Sequence, residues 1–135
     1  MFPTPLRVFL VEDSAVLRDR LAESLGSMSG VQIVGTTDTE QSAIDALRTL
    51  QCDVVVLDLQ LKQGNGFNVL KAIRHSESPQ HRRLVVVLTN YAFSLYRHRC
   101  LQAGADFFLD KSREYERLPE VLEAVAEGRT ALQDH

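Results

Sequence analysis

Polar residues able to do chemistry stand where apolar runs break off. Glu12 and Asp13 follow the run Leu6 to Val11, Asp58 sits at the end of Asp53 to Leu59, Thr89 follows Leu84 to Leu88, and Lys111 lies just past Phe107 to Leu109. Carboxylates brought close together repel one another and hold their protons more tightly unless a cation intervenes, and a hard oxygen set of this kind suits Mg²⁺. Phosphoryl transfer requires mainly positioning and charge neutralisation, so an Asp nucleophile, a divalent ion, an ammonium and a hydroxyl form a sufficient set. On this chemistry Asp58 is the acceptor, and Thr89 and Lys111 clamp the transferred group.

These residues can meet only if the intervening chain folds so that the ends of the apolar runs lie side by side. Strands are expected at Leu6 to Val11, Val31 to Val34, Asp53 to Leu59, Leu84 to Leu88 and Phe107 to Leu109. The VVVL stretch lacks polar alternation, which predicts burial on both faces, as in a parallel sheet. Between the strands, Leu17, Leu21, Leu25 and Met28 recur at helical spacing after Ser14, a candidate N-cap, and Gly30 stops the pattern. A second helix carries Ile44, Leu47 and Leu50 and starts near Thr39 or Ser42. Gly64, Asn65 and Gly66 form a turn before a third helix with Phe67, Leu70 and Ile73, which frays into the polar loop 76–80. Leu95, Tyr96, Arg99 and Cys100 mark a fourth helix, capped by Ala103 and Gly104. Arg113 to Arg117 reads as a lead-in turn to a fifth helix that starts near Leu118, where Pro119 fits the first turn. Strands alternating with helices imply βαβ crossovers and an α/β/α sandwich, with the ligand site at the carboxyl ends of the strands.

Composition narrows the function classes. The 135 residues suit one domain, with a core over about residues 5–128, and 44% hydrophobic against 24% charged residues is ordinary for a globular protein. A net charge of −3 with scattered Lys and Arg supplies no basic stripe, so direct nucleic-acid binding is not expected. Apolar runs are of strand length, so no membrane span is expected. Cys52 and Cys100 belong to no metal or redox pattern and read as small buried hydrophobes in a reducing cytoplasm. His75, His81, His98 and His135 sit apart, without a second ligand at metal spacing.

The segments VEDS, VVVLDL, LTN and FFLDKS, at these spacings, resemble the receiver domains of two-component response regulators over essentially the whole chain. The resemblance implies the flavodoxin-like receiver fold, with a five-stranded parallel sheet of order 2-1-3-4-5, and either a stand-alone, chemotaxis-regulator-like switch, the preferred reading, or a receiver cut from a longer transcription regulator. It implies that Asp58 takes a phosphoryl group from the phosphohistidine of a sensor kinase or phosphotransfer protein, and that Glu12, Asp13, Asp58 and the backbone carbonyl of Gln60 hold Mg²⁺. Thr89 and Lys111 match the family's hydroxyl and lysine, and Phe108 its switch aromatic. The implied output face comprises the fourth helix, fifth strand and fifth helix. It would meet an output protein, and a homodimer is compatible with it.

The chain departs from the family pattern at several points. Ser112 replaces the proline that usually follows the lysine in a cis peptide, and Lys62 replaces a frequent proline in the loop after the acceptor. Asn90 is bulkier than the usual residue after the hydroxyl and, with Gln60 and Tyr91, flanks access to Asp58. If Phe108 faces outward, Phe107 beside it should pack inward. Gln60 stands where a dehalogenase-like phosphatase needs a second Asp, so no enzyme is expected, and the acidic pair disfavours a flavin phosphate. A docking module with a persistent acidic pocket is the competing reading.

Overall fold

The apolar runs become strands and the periodic segments between them become helices. The computed structural model describes residues 4–78 and 80–133; His135 and one residue of the polar loop lie outside that range. The strands are β1 (Leu6–Val11), β2 (Val31–Thr37), β3 (Val54–Leu57), β4 (Leu84–Thr89) and β5 (Phe107–Asp110). They pair in the order β2-β1-β3-β4-β5, all parallel, with Val8 opposite Val54, Val54 opposite Leu84 and Val86 opposite Phe107. This is the expected topology.

Helices cover both faces: α1 (Ala15–Gly26), α2 (Glu40–Leu47), α3 (Gly66–Ser76), α4 (Ser94–Gln102), α5 (Lys111–Glu114) and α6 (Arg117–Gln133). The period-two alternation divides the core into two layers. Phe9, Val11, Val55, Leu57, Val85, Val87 and Phe108 pack towards α2, α3 and α4. Leu6, Val8, Leu10, Val54, Val56, Val86, Leu88 and Leu109 pack towards α1 and α6, against Leu21, Leu25, Leu118 and Leu122. Burying each such side chain stabilises the fold by roughly 1.5–3 kcal/mol before chain entropy is counted.

Capping fixes where helices begin. The hydroxyl of Ser14 accepts the Leu17 N–H, Thr39 and Ser42 form a reciprocal capping box, and the Asn65 side chain accepts the Asn68 N–H. Met28 and Leu50 fall beyond the ends of α1 and α2 rather than inside them, yet both still pack on the core. Apolar spacing marks a packed face and does not mark the last turn. Strand β2 runs on to Thr37, and β3 is confined to Val54–Leu57, with Asp58 the first residue past it.

The segment after β5 corrects the expected lead-in turn, because α5 begins at Lys111 itself. Asp110 caps it by accepting both the backbone N–H and the hydroxyl of Ser112, at 2.9 and 2.7 Å, while Glu114 accepts the Asp110 N–H at 3.2 Å. These bonds hold the Asp110 carboxyl below its usual range, led by the Ser112 hydroxyl, and that of Glu114 likewise, led by the Asp110 N–H. The Lys111–Ser112 peptide is trans. The expected fifth helix is therefore α6, preceded by a capped helical turn.

Candidate functional site

The carboxyl ends of β1, β3, β4 and β5 bring Glu12, Asp58, Thr89 and Lys111 to one edge. Parallel register does this directly: the Glu12 N–H donates to Thr37 and the Asp58 N–H donates to Val11, both at 2.9 Å, so the ladder continues into the site residues. Glu12, Asp58 and Thr89 are the buried polar residues among those described, exposed by 2%, 6% and 0%. Buried polar groups need partners, and each of these has one.

Lys111 supplies the central contact. Its Nζ lies 2.7 Å from Oε1 of Glu12 and 2.9 Å from Oδ2 of Asp58, so one ammonium spans two carboxylates. The other Glu12 oxygen accepts the Ser14 N–H at 2.9 Å, and Oδ1 of Asp58 accepts the Gln60 N–H at 3.3 Å. Burial pushes the Glu12 carboxyl up, with the Asp58 charge adding to the rise, against the pull of Lys111 and Ser14. Burial alone would lower Lys111, but its bonds to Glu12 and Asp58 and their charges outweigh that and raise it. Lys111 therefore stays charged.

The remaining expected site residues differ in placement. Thr89 is fully buried, and its hydroxyl accepts the Tyr91 N–H at 3.1 Å, tying the start of the β4–α4 loop to the strand end. Asp13, Gln60, Asn90 and Tyr91 are exposed at the same edge. Phe108 faces into the core at 4% exposure, and Phe107, on the opposite face of the sheet, is the less buried of the two. Phe108 does not face outward, so the condition under which Phe107 should be the inward ring is not met. Arg97 of α4 lies over the Phe108 ring, 5.3 Å from its centroid.

The capacity for a cation can be tested on the donor set. Among the described residues no three His, Cys, Asp or Glu side chains gather around one point, because Glu12 and Asp58 turn to Lys111 while Asp13 stays exposed. An all-protein cage is therefore absent, and Mg²⁺ does not need one, since it keeps several waters and binds through one or two carboxylates. Three carboxylates against one ammonium leave a surplus of negative charge at this edge, which a divalent ion would balance. The chemistry of the donor set fits the ion, with Asp13 and the Gln60 carbonyl as candidate oxygens beside Asp58 and Glu12, which both already bond Lys111.

Three residues that the sequence reading did not single out support the site. Arg18 donates to the Glu12 carbonyl at 3.1 Å and pairs with Asp38 at 3.8 Å. Glu40, in the first turn of α2, accepts the Asn65 N–H at 3.0 Å and the Asn68 amide at 3.1 Å, latching α2 to the loop that follows Asp58. Arg97 is the third. No sequence signal marks them, since each acts across elements whose approach only the fold defines.

A depression of about 1140 Å³ lies elsewhere. Its lining includes Arg7, Asp53 and Leu84, at the amino-terminal edge of the sheet, and its arginines are already engaged: Arg7 with Asp53, Arg48 with Asp45, Arg82 with Asp106, and Arg83 with the carbonyls of Leu47 and Leu50. It gathers none of the residues above.

Comparison with known proteins agrees with this geometry. The family described as response regulator receiver domain matches residues 8–123. The chain is 31% identical to the nitrate/nitrite response regulator protein NarP of Escherichia coli over 93% of its length, and 36% identical to a protein-glutamate methylesterase/protein-glutamine glutaminase of Myxococcus xanthus over 95%. It spans 57% and 37% of those proteins, and 58% of the Fimbriae Z protein of Salmonella typhimurium, to which it is 29% identical over 92% of its own length. The receiver domain of a putative response regulator NarL from Mycobacterium tuberculosis superposes with a TM-score of 0.81 at 23% identity, covering 93% of this chain and 99% of that one.

Proposed function

Since the chain belongs to the response regulator receiver domain family, we propose that it is a two-component signalling switch in which Asp58 accepts the phosphoryl group. The observation that carries this reading is the buried bridge of Lys111 between Glu12 and Asp58, at the strand ends where parallel sheets bind ligands. A carboxylate oxygen of Asp58 attacks the phosphorus of a sensor kinase or phosphotransfer phosphohistidine. The P–N bond breaks as the P–O bond forms, and the imidazole leaves with its electron pair. Lys111 and Thr89 then hold phosphoryl oxygens, the first by charge and the second by its hydroxyl.

Asp13, Asp58 and the Gln60 carbonyl would hold Mg²⁺, with Glu12 orienting Lys111 and the Ser14 turn. Bound there, the ion neutralises charge on the incoming phosphoryl group. Gln60, Asn90 and Tyr91 flank the approach and restrict which donors and phosphatases reach Asp58. The phosphoryl group makes contacts available in one state only, so it biases a two-state equilibrium. Phe108 and the face of α4, β5 and α6 read that bias out to an output protein or a second copy.

The domain is proposed to comprise a single receiver with its core over about residues 5–128, without catalytic turnover of its own. The methylesterase name belongs to relatives much longer than this chain. No described helix is long and apolar enough to cross a membrane, and the free thiols Cys52 and Cys100 fit a cytoplasmic setting. The deciding experiment is intact mass after incubation with acetyl phosphate and Mg²⁺, beside Asp58→Asn and a chelated control. One phosphoryl increment that requires both Mg²⁺ and Asp58 is expected. No increment from acetyl phosphate or from a promiscuous sensor kinase would leave the docking module as the better reading.

A further inference from the structure

Beside the acceptor, on the flank of α4 that faces α3, lies a groove of about 440 Å³ lined by Gln60, Asn65, Phe67, Tyr91, Tyr96 and Arg99, among others. Exposed rings gather at it: Tyr91 and Tyr96 line it at 41% and 42% exposure, and Phe93, 65% exposed, meets the Tyr96 ring edge to face at 6.0 Å. Scattered exposed apolar side chains are ordinary, but a cluster of them around a groove marks an interaction site. This flank is distinct from the side of α4 that reaches β5, where Arg97 contacts Phe108 and Glu114.

Charge identifies the occupant. The chain has a net charge of −3, yet α4 carries no carboxylate, and of its two arginines Arg99 lines the groove while Arg97 is engaged with Glu114. Among the described residues Arg99 is the one charged side chain lining the groove, Lys71 stands over Phe67 on the α3 wall, 5.5 Å from the ring centroid, and the Glu40 carboxylate at the Asn65 end is taken up by the Asn65 N–H and the Asn68 amide. An aromatic floor with a cationic rim suits an acidic segment bearing a Leu or aromatic anchor. A nucleic acid would need a longer track of cations than Arg99 and Lys71 provide.

Two hydrogen bonds tie the groove to the acceptor. The Gln60 N–H donates to Oδ1 of Asp58, and the Tyr91 N–H to the hydroxyl of Thr89. Both donors line the groove, and both acceptors belong to the phosphoryl site. We propose that the groove takes an acidic, Leu- or aromatic-bearing peptide segment of a partner protein, and that phosphorylation of Asp58 sets its affinity by competing for these two tethers. The second half rests on the acceptor reading above; the first half stands without it.

The test pans short random phage-displayed peptides against the full chain, loaded with acetyl phosphate and Mg²⁺, and resynthesises the selected sequences. Fluorescence anisotropy then measures their affinity for loaded and unloaded protein, with loading read independently by intact mass. Selected peptides should be acidic with a Leu or aromatic anchor. Tyr96→Ala and Arg99→Glu should each weaken binding about tenfold or more, while Leu101→Ala, outside the groove lining, leaves it unchanged. Circular dichroism checks that each variant folds. Loading should change affinity at least about fivefold, within the usual range of site-to-site coupling. Failure to select a peptide sensitive to Tyr96 and Arg99, or selection of basic ones, would overturn the proposal. So would self-association in sedimentation that Arg99→Glu abolishes, which assigns the groove to a second copy. If the mass rises on loading and affinity does not move, the receiver reading stands and the control by phosphorylation is overturned. If the mass never rises while unloaded protein binds through Tyr96 and Arg99, the acceptor reading fails and the groove remains.

Discussion

The guanidinium of Arg97 covers the ring of Phe108 at 5.3 Å and also donates to the Phe108 carbonyl at 3.3 Å, so one side chain of α4 grips both the ring and the backbone of β5. The same guanidinium reaches Glu114 of α5 at 3.3 Å. Arg97→Gln should therefore lower stability by about 0.5–1 kcal/mol, the size of a partly exposed cation–π contact. Chemical denaturation measures the loss. Nuclear Overhauser contacts of the Phe108 ring should show it sampling positions outside the core more often than in the wild type.

Lys111→Met removes the cation between Glu12 and Asp58 and leaves buried carboxylates facing each other. Breaking a buried pair by deleting one partner costs about 3–5 kcal/mol, and here the loss should be largest at neutral pH. Glu12 is already raised above its unfolded value by burial, so the folded state binds its proton more tightly than the unfolded chain does. Stability contributed in this way is present at low pH and lost as pH rises through the Glu12 titration; without Lys111 that slope steepens. Urea midpoints compared from mildly acidic to neutral pH would show the variant closing on the wild type as the medium is acidified. A constant deficit would remove Glu12 from the account.

Two glycines should respond to alanine in opposite directions. A Cβ at Gly66 would fall on the carbonyl oxygen of Asp58, at the junction of the acceptor loop and α3. Nothing within 4 Å opposes one at Gly128 in α6. Gly66→Ala should destabilise the fold by more than about 2 kcal/mol, whereas Gly128→Ala should stabilise it by about 0.5–1 kcal/mol, because glycine is costly inside a helix. Thermal melts of the two variants, side by side, decide both.

Burial pushes the Cys100 thiol up to about 11 and raises that of Cys52 as well. Native protein at mildly alkaline pH should therefore alkylate with iodoacetamide far more slowly than the unfolded chain, since only the thiolate reacts. Because Cys100 keeps its proton in the folded state after the unfolded chain has released it, stability should also fall as pH rises above about 9. Replacing Cys100 with Ala would flatten that alkaline slope.

The sheet and its active edge were legible because both depend on local pattern. A run such as Val54–Leu57 has no polar alternation and must be buried on both faces, and polar residues that end such runs necessarily share the carboxyl edge. The Ser14 cap and a helix start near Thr39 or Ser42 are readable for the same reason, whereas Asn65 reads only as part of a turn. Phe107 and Phe108 were harder, because when both faces of a strand are buried the sequence carries no parity to say which ring points where. The helical turn from Lys111 depends on Asp110 accepting from Ser112 and Glu114 reaching back to Asp110, and spacing alone does not separate that geometry from an open turn. Carboxylate repulsion pointed to a cation at the edge, but the partner that the fold places between Glu12 and Asp58 is Lys111.

The latch between α2 and the acceptor loop has an evolutionary consequence. Gly64 adopts a positive φ of +80°, and a Cβ there would collide with the Glu40 side chain that holds Asn65 and Asn68. The nearest clash is with the Glu40 Cβ, which every residue but glycine carries, so shortening residue 40 makes no room, and the positive φ would strain any side chain at 64 besides. Position 64 is thereby held to glycine while its neighbours vary, and the loop after the acceptor keeps its path even in lineages that lose the latch.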